Sequence, residues 1–200
     1  MKARPSVLVD LDNVYYATNI ALLKEVQKKY KLGLNLKLSN IEKLELEDCI
    51  PGLTFTQLEG IFKEPAFWDN VPPLVGAPEF LEELSEVCDI HIVTDRRWYP
   101  ELKEQTVSRL VKAKVPFKEV HICKGKEKHL WAKERKVLAA VEDNLNNAIL
   151  LKDVCPTFLL DWPHNQFEEI ENIYRHADYY SLVCAIKELA QDKNCLQNKK

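Results

Sequence analysis

No apolar run in this 200-residue chain approaches the roughly 20 residues that a membrane-spanning helix needs. The start, MKARPSVLVDLD, is basic, but its apolar run is short and soon meets Asp10, so a secretory leader is not expected either. No C-x-x-C pair occurs. Cys49, Cys88, Cys123, Cys155, Cys184 and Cys195 are scattered, which argues against a zinc knuckle or a thioredoxin motif and suits reduced, mostly buried thiols in a cytoplasmic protein. His91, His121, His129, His164 and His176 lack metal-ligand spacing. There are no repeats and no low-complexity tracts. Net charge is only −3, so nothing in the bulk charge calls for a nucleic acid polymer as partner. With 46% apolar and 30% charged residues, the chain reads as one globular domain, or one domain with an insertion.

Short apolar runs alternate with amphipathic segments. Strands are expected over Ser6–Asp10, Asp89–Thr94, Glu119–Cys123, Val137–Glu142, Ala148–Lys152 and Thr157–Asp161, each nearly all apolar, as strands buried on both faces are. Helices are expected over Pro78–Val87, Pro100–Ala113, Glu127–Glu134 and Phe167–Tyr174. In GAPEFLEELSEVC, for example, Phe80, Leu81, Leu84 and Val87 share one face, opposite the acidic residues. The alternation implies an α/β fold, a Rossmann-like parallel sheet flanked by helices. Residues 15–71 break the rhythm. They contain helical patterns (NIALLKEVQKKYKL, TFTQLEGIFKE) and the turn-rich PAFWDNVPPLVGAP, but no clear strand. A mainly helical cap inserted after the first strand is expected, with residues 1–14 and 72–200 forming the core. Such a cap would fold over the carboxyl ends of the strands, where open α/β sheets place their sites. The final LQNKK reads as a frayed tail.

The strand ends carry the chemistry. The first ends in Asp10-Leu11-Asp12, the second in Thr94-Asp95-Arg96 and the fourth in Glu142-Asp143, while KGKEKHLWAKE opens a helix with several lysines. Grouped carboxylates repel unless a cation sits among them. Oxygen ligands suit a hard ion, and Mg²⁺ is the usual one beside phosphate. A hydroxyl, backbone N–H groups and a lysine suit phosphate oxygens. Taken singly, the paired aspartates and Glu142-Asp143-Asn144 have ordinary readings as turn residues or helix caps, and Thr94 as a strand-end hydroxyl. Their order, each at a strand end, points to a metal-and-phosphate site. Arg96 has two open readings, a contact to substrate or phosphate, or a pair with a surface carboxylate. Tyr15, Tyr16, Phe67, Trp68 and Trp98 either stack on a base or pack the core and seal a cap.

These four motifs, VLVDLDNV, IHIVTDR, KGKEKHLWAKE and VLAAVEDN, resemble those of the haloacid dehalogenase-like hydrolase superfamily. The resemblance covers Ser6–Asn13 and Pro72–Leu189. VPPLVGAPEFLEEL, IVTDRRWYPELKEQTVSRLVKAKVPF and FLLDWPHNQ look like the branch containing the cytosolic 5'(3')-deoxyribonucleotidases. The resemblance implies that Asp10 is a nucleophile and metal ligand, forming an aspartyl-phosphate. Asp12 would be the general acid and base, with its main-chain carbonyl on the metal. Asp143 would be the second protein ligand of Mg²⁺, with Glu142 just outside the ligand set. Thr94 Oγ1 and the Asp95 N–H would hold phosphate oxygens, with Arg96 as a further candidate. Lys128 best matches the spacing of the motif lysine, ahead of Lys126 and Lys124. Two departures are mild: Asn13 stands where the family has glycine, and the acidic pair is Glu-Asp. The expected activity is that of a Mg²⁺-dependent phosphomonoester hydrolase on a small phosphorylated metabolite, a (deoxy)nucleoside monophosphate in the first place and a sugar phosphate as the alternative. A phosphoacceptor signalling module and a silent binding homologue fit less well. The oligomeric state stays open, with a homodimer among the options.

Overall fold

A computed structural model describes the chain over residues 4–197, and its side chains through Asp192. In chain order the elements are β1 (Ser6–Val9), α1 (Thr18–Tyr30), α2 (Phe55–Phe62), α3 (Pro65–Asn70), α4 (Ala77–Ser85), β2 (Asp89–Thr94), α5 (Leu102–Lys112), β3 (Glu119–Ile122), α6 (Lys128–Arg135), β4 (Ala139–Glu142), α7 (Leu145–Leu151), β5 (Thr157–Leu160), β6 (Ile173–His176) and α8 (Tyr179–Gln197).

The six strands form one parallel sheet in the order β3-β2-β1-β4-β5-β6. Val7 of β1 lies opposite Ile90 of β2 on one side and Ala139 of β4 on the other. Side chains alternate across a strand, and both faces of β1 are covered. Val7 and Val9 join an apolar cluster with Phe80, Leu81 and Leu84 of α4 and Leu182, Val183 and Ile186 of α8. Leu8 joins a second cluster with Trp131 and Ala132 of α6 and Leu151 of α7. The chain runs outward from β1 to β2 and β3, then crosses back to β4 on the opposite side of β1. That reversal opens a crevice at the carboxyl ends of β1 and β4.

Between β1 and β2 the sequence makes helices α1 to α4 and two short 3-10 turns, Leu38–Asn40 and Leu46–Asp48. Local signals set the helix ends. Gln57 N donates to Thr54 Oγ1 (3.3 Å) while Thr54 N donates to Gln57 Oε1 (2.9 Å), a reciprocal cap that starts α2. Pro65 sits at the first position of α3, where its missing N–H costs nothing, so part of the turn-rich stretch is helix. Leu22, Leu23, Val26, Leu58, Ile61, Phe67 and Trp68 of this segment are continuous with the cluster on the first face of the sheet.

Two expected elements are corrected. Residues 148–152, expected as a strand, belong to α7 and its C-terminal edge. Asn144 Oδ1 accepts from Asn146 N and Asn147 N, capping the helix, and only Ala148 and Leu151, three residues apart, are buried. The stretch Phe167–Tyr174, expected as a helix, is irregular up to Asn172, which takes a left-handed φ of 64°, and then enters edge strand β6. Helix α8 was not among the expected elements. It covers the sheet with Leu182, Val183, Ile186 and Ala190, and the first two residues of LQNKK lie within it. The last three lie outside the described residues. No helix among the described residues is long and apolar enough to cross a membrane. Cys49, Cys123, Cys155 and Cys184 form no disulfide; the side chain of Cys195 lies outside the described residues.

Candidate active site

The chain turns sharply after β1. Asp10 N donates to Val141 O of β4 (3.0 Å), and the Leu11 carbonyl accepts from Tyr15 N and Tyr16 N, both at 2.8 Å. Asn13 takes φ 56°, the left-handed conformation that asparagine tolerates better than most residues. Asp10 is thereby held at the carboxyl end of the sheet, next to the Glu142-Asp143 pair that ends β4.

Asp10, Glu142 and Asp143 are all buried, and one carboxylate oxygen from each lies within 4.8 Å of the others. Lys128, the first residue of α6, is the lysine that enters this group. It is 1% exposed, and its Nζ lies 2.9 Å from Asp10 Oδ1 and 2.5 Å from Glu142 Oε1. Lys124 and Lys126 sit exposed on the rim of the same cavity. Burial pushes the Asp10 carboxyl well above the usual range. Lys128 opposes this without cancelling it, and Glu142, Asp12 and Asp143 add to it. Burial also raises Glu142, again against Lys128. For Lys128 burial works against the charge, but Asp10 and Glu142 outweigh it and hold the ammonium above its ordinary range. One lysine does not balance three buried acids. Asp10 Oδ1 has Lys128 as an ion-pair neighbour yet, among the described residues, no aligned hydrogen-bond donor. An all-oxygen donor set, crowded and short of positive charge, fits a hard divalent cation such as Mg²⁺.

Thr94, at the end of β2, is fully buried, lines the cavity and donates through Oγ1 to Asp12 Oδ2 at 3.5 Å. Asp95 also lines the cavity, where its carboxylate accepts from Gly125 N (3.0 Å) and pairs with Arg97 (2.5 Å). Arg96 turns away from the cavity. It is 1% exposed and grips Asp12 with both ends of its fork, Nη2 to Oδ1 at 2.7 Å and Nε to Oδ2 at 3.1 Å. Its guanidinium lies 4.6 Å from the centre of the Tyr16 ring and 4.7 Å from that of Trp68. Thr18 Oγ1 also donates to Asp12 Oδ1. Burial alone would raise the Asp12 carboxyl, but Arg96 outweighs it and holds the group below its usual range.

Asp143 has partners that motif reading did not supply. Its Oδ2 receives Asn13 Nδ2 at 2.9 Å and His164 Nε2 at 3.1 Å, and its carbonyl receives Asn165 Nδ2 at 2.8 Å. His164 lacks metal-ligand spacing in the sequence; its partner is a carboxylate 21 residues away, which spacing does not reveal.

The cavity holds about 500 Å³. Asp10, Asp12, Lys128 and Asp143 lie along it, asparagines Asn144, Asn146 and Asn147 form one wall, and Leu44 and Glu45 reach it from the segment between α1 and α2. Among the described residues, no aromatic lines it. Phe62 stacks on Trp98 (centroids 4.5 Å apart) and on Trp68 (5.7 Å), and Tyr15 meets Tyr16 edge-on at 4.8 Å.

Comparison with known proteins gives consistent results. The family model described as "5' nucleotidase, deoxy (Pyrimidine), cytosolic type C protein" matches residues 4–189. Two curated proteins from strains of Staphylococcus epidermidis, each named "Putative 5'(3')-deoxyribonucleotidase", are 31% identical over 91 residues. That match covers 46% of this chain and spans about half, 49%, of the length of each relative. A haloacid dehalogenase-like family hydrolase from Streptococcus pneumoniae superposes with a TM-score of 0.61 at 13% identity, covering 92% of this chain and 99% of that one. The "putative HAD-hydrolase" YfnB from Bacillus subtilis, solved bound to magnesium, gives 0.56 at 15% identity, with 92% and 99% covered. At these identities the structural likeness speaks for the fold alone.

Proposed function

This chain belongs to the family of the cytosolic type C 5' nucleotidases, deoxy (pyrimidine), and from that premise we propose that it is a Mg²⁺-dependent phosphomonoester hydrolase working through an aspartyl-phosphate on Asp10. Nucleoside monophosphates, deoxy or ribo, are the proposed substrates, as the names of its relatives suggest. The observation that carries the reading is the buried group at the β1–β4 crevice, in which Lys128 pairs with Asp10 and Glu142, Asp143 stands beside them, and the three acids still lack positive charge.

Asp10 attacks phosphorus, the Asp10 O–P bond forms and the ester O–P bond breaks. Lys128 offsets the repulsion between the carboxylate and the phosphate dianion, while Thr94 Oγ1 and the Asp95 N–H hold phosphate oxygens. Asp10, Asp143 and the Asp12 carbonyl would hold Mg²⁺, with Glu142 anchoring Lys128 beside them. Neutralising charge on the phosphoryl oxygens is what the ion supplies when bound. Asp12 gives a proton to the leaving alkoxide, then takes one from the water that cleaves the acyl phosphate. Paired to Arg96 it is a carboxylate, ready for the second step; the first step requires that grip to loosen and Asp12 to take up a proton. Residues 15–71 act as a cap over this centre, a role supported by Leu44 and Glu45 at the cavity wall.

A second reading keeps this chemistry and changes the substrate to a sugar phosphate. It is favoured by the polar, asparagine-rich wall and by aromatics that stack on one another rather than facing the cavity. Phosphate release from nucleoside 5'- and 3'-monophosphates and from sugar phosphates, with and without Mg²⁺ and with Asp10→Asn as control, tests both. Mg²⁺-dependent release from nucleotides supports the first reading. Release only from sugar phosphates replaces it with the second, and release that survives chelation or Asp10→Asn overturns the mechanism.

A further inference from the structure

Asp143 is built into the site differently from its two acidic neighbours. Asp10 and Glu142 meet a lysine; Asp143 meets two neutral or weakly basic donors on a single oxygen. A carboxylate only accepts, so His164 carries its hydrogen on Nε2, and Asn13 presents its amide N–H₂. With Oδ2 engaged by both, Oδ1 is the oxygen left for an ion.

The two donors are themselves fixed. Asn13 Oδ1 accepts from Asn19 N in the first turn of α1 (2.8 Å), and the Asn13 carbonyl accepts from Trp162 Nε1 (2.8 Å). Trp162 lies nearly parallel to the His164 ring, 14° between planes with centroids 6.2 Å apart. Asn165 ties the Asp143 carbonyl to that of Leu160. The turn after β1 and the loop after β5 therefore grip the residue that follows β4. A turn at φ 56° needs nothing more than glycine. Asparagine at this position adds a side chain that makes two bonds, one to α1 and one to Asp143.

We propose that Asn13 and His164 are positioning residues that clamp Asp143 in the orientation for binding Mg²⁺, and that Asn13 links this orientation to the start of α1. The proposal rests on the functional reading above, in which Asp143 is a metal ligand. Partners that orient a metal ligand typically contribute about 10–100-fold to metal affinity.

The test is calorimetric titration of Mg²⁺ alone into metal-free protein, for the parent, Asn13→Gly, His164→Ala and His164→Gln, with a metal-free melting curve for each. Asn13→Gly keeps the left-handed backbone and removes the donor. We expect the Mg²⁺ dissociation constant to rise by about 10–100-fold in Asn13→Gly and His164→Ala, and to recover partly in His164→Gln, whose amide can donate to the same oxygen. If the variants bind Mg²⁺ as the parent does while only their melting points fall, the residues are purely structural and the clamp is refuted. If Asn13→Gly does not fold without its bond to α1, the two His164 variants decide the matter. A parent that binds no Mg²⁺ overturns the functional reading and the clamp together; a parent that binds it equally well as its variants overturns the clamp alone.

Discussion

Replacing Lys128 with methionine isolates the electrostatic balance of the site. The side chains are similar in length, so the change removes charge with little change in packing. Lys128 is 1% exposed and touches Asp10 at 2.9 Å and Glu142 at 2.5 Å. In metal-free protein the variant leaves both carboxylates buried with no counter-ion from α6. Deleting one partner of a buried ion pair costs about 3–5 kcal/mol, because the other charge stays behind. For a chain of this size, that lowers the melting temperature by about 6–20 °C. The assay is thermal unfolding in the presence of a chelator. A second variant, Lys128→Met with Glu142→Gln, takes away one of the stranded charges, and recovery on the order of 1–3 kcal/mol relative to the single variant is expected. A single variant within about 1 kcal/mol of the parent, or a double variant no more stable than the single, would refute the view that Lys128 balances the buried acids. Turnover by the single variant should fall by about 10²–10³, as for other losses of a preorganised charge.

The remaining variants follow from the same geometry. Asp10→Asn should abolish phosphate release while metal-free stability holds or rises, since one of three crowded carboxylates becomes neutral; a marked drop in melting temperature would contradict the crowding. Asp12→Asn should leave too little base to clear the intermediate, so that phosphorylated Asp10 accumulates and is seen by intact mass after brief exposure to an aryl phosphate, whose phenolate departs without a proton from Asp12. Near-normal steady-state turnover in that variant would exclude Asp12 from proton transfer.

The sheet and its acidic edge were readable because both depend on short-range pattern. Val7, Leu8 and Val9 are apolar on successive residues, as a strand covered on both sides must be, and the acids fall directly after such runs. The four-residue run Ala148-Ile149-Leu150-Leu151 carries no period long enough to separate strand from helix. The asparagine cap at Asn144 decides it, and that signal was present in EDNLNN. Edge strand β6 is the opposite case, since Tyr174 and Arg175 face solvent and leave only Ile173 fully buried. Helix α8 carries a legible signal of its own, with Leu182, Val183, Ile186 and Ala190 at helical spacing. Other features were beyond sequence reasoning. Arg96 is buried because Tyr16 and Trp68 enclose it, and both come from the segment before α4, whose position over the sheet follows from tertiary packing. His164 likewise acquires its meaning only when the loop after β5 reaches Asp143.

The choice between a nucleotide and a sugar phosphate turns on the asparagines that line the cavity. Asn144 is committed to capping α7, and Asn147 lies within 3.5 Å of Glu142, so neither can be changed without disturbing the acidic group. Asn146 is exposed and lines the cavity; its main-chain N–H donates to the Asn144 side-chain oxygen Oδ1 (2.9 Å), and among the described residues its own side chain makes no hydrogen bond. Its amide is free to meet a hydroxyl of the substrate. A neutral hydrogen bond contributes about 0.5–1.5 kcal/mol, which corresponds to roughly 2–12-fold in KM. If hydroxyl recognition at this wall selects the substrate, Asn146→Ala raises KM for sugar phosphates and ribonucleotides by that factor and spares a phosphate ester with no hydroxyls, such as phenyl phosphate. If an aromatic platform selects a base instead, the loss is absent from every member of the panel.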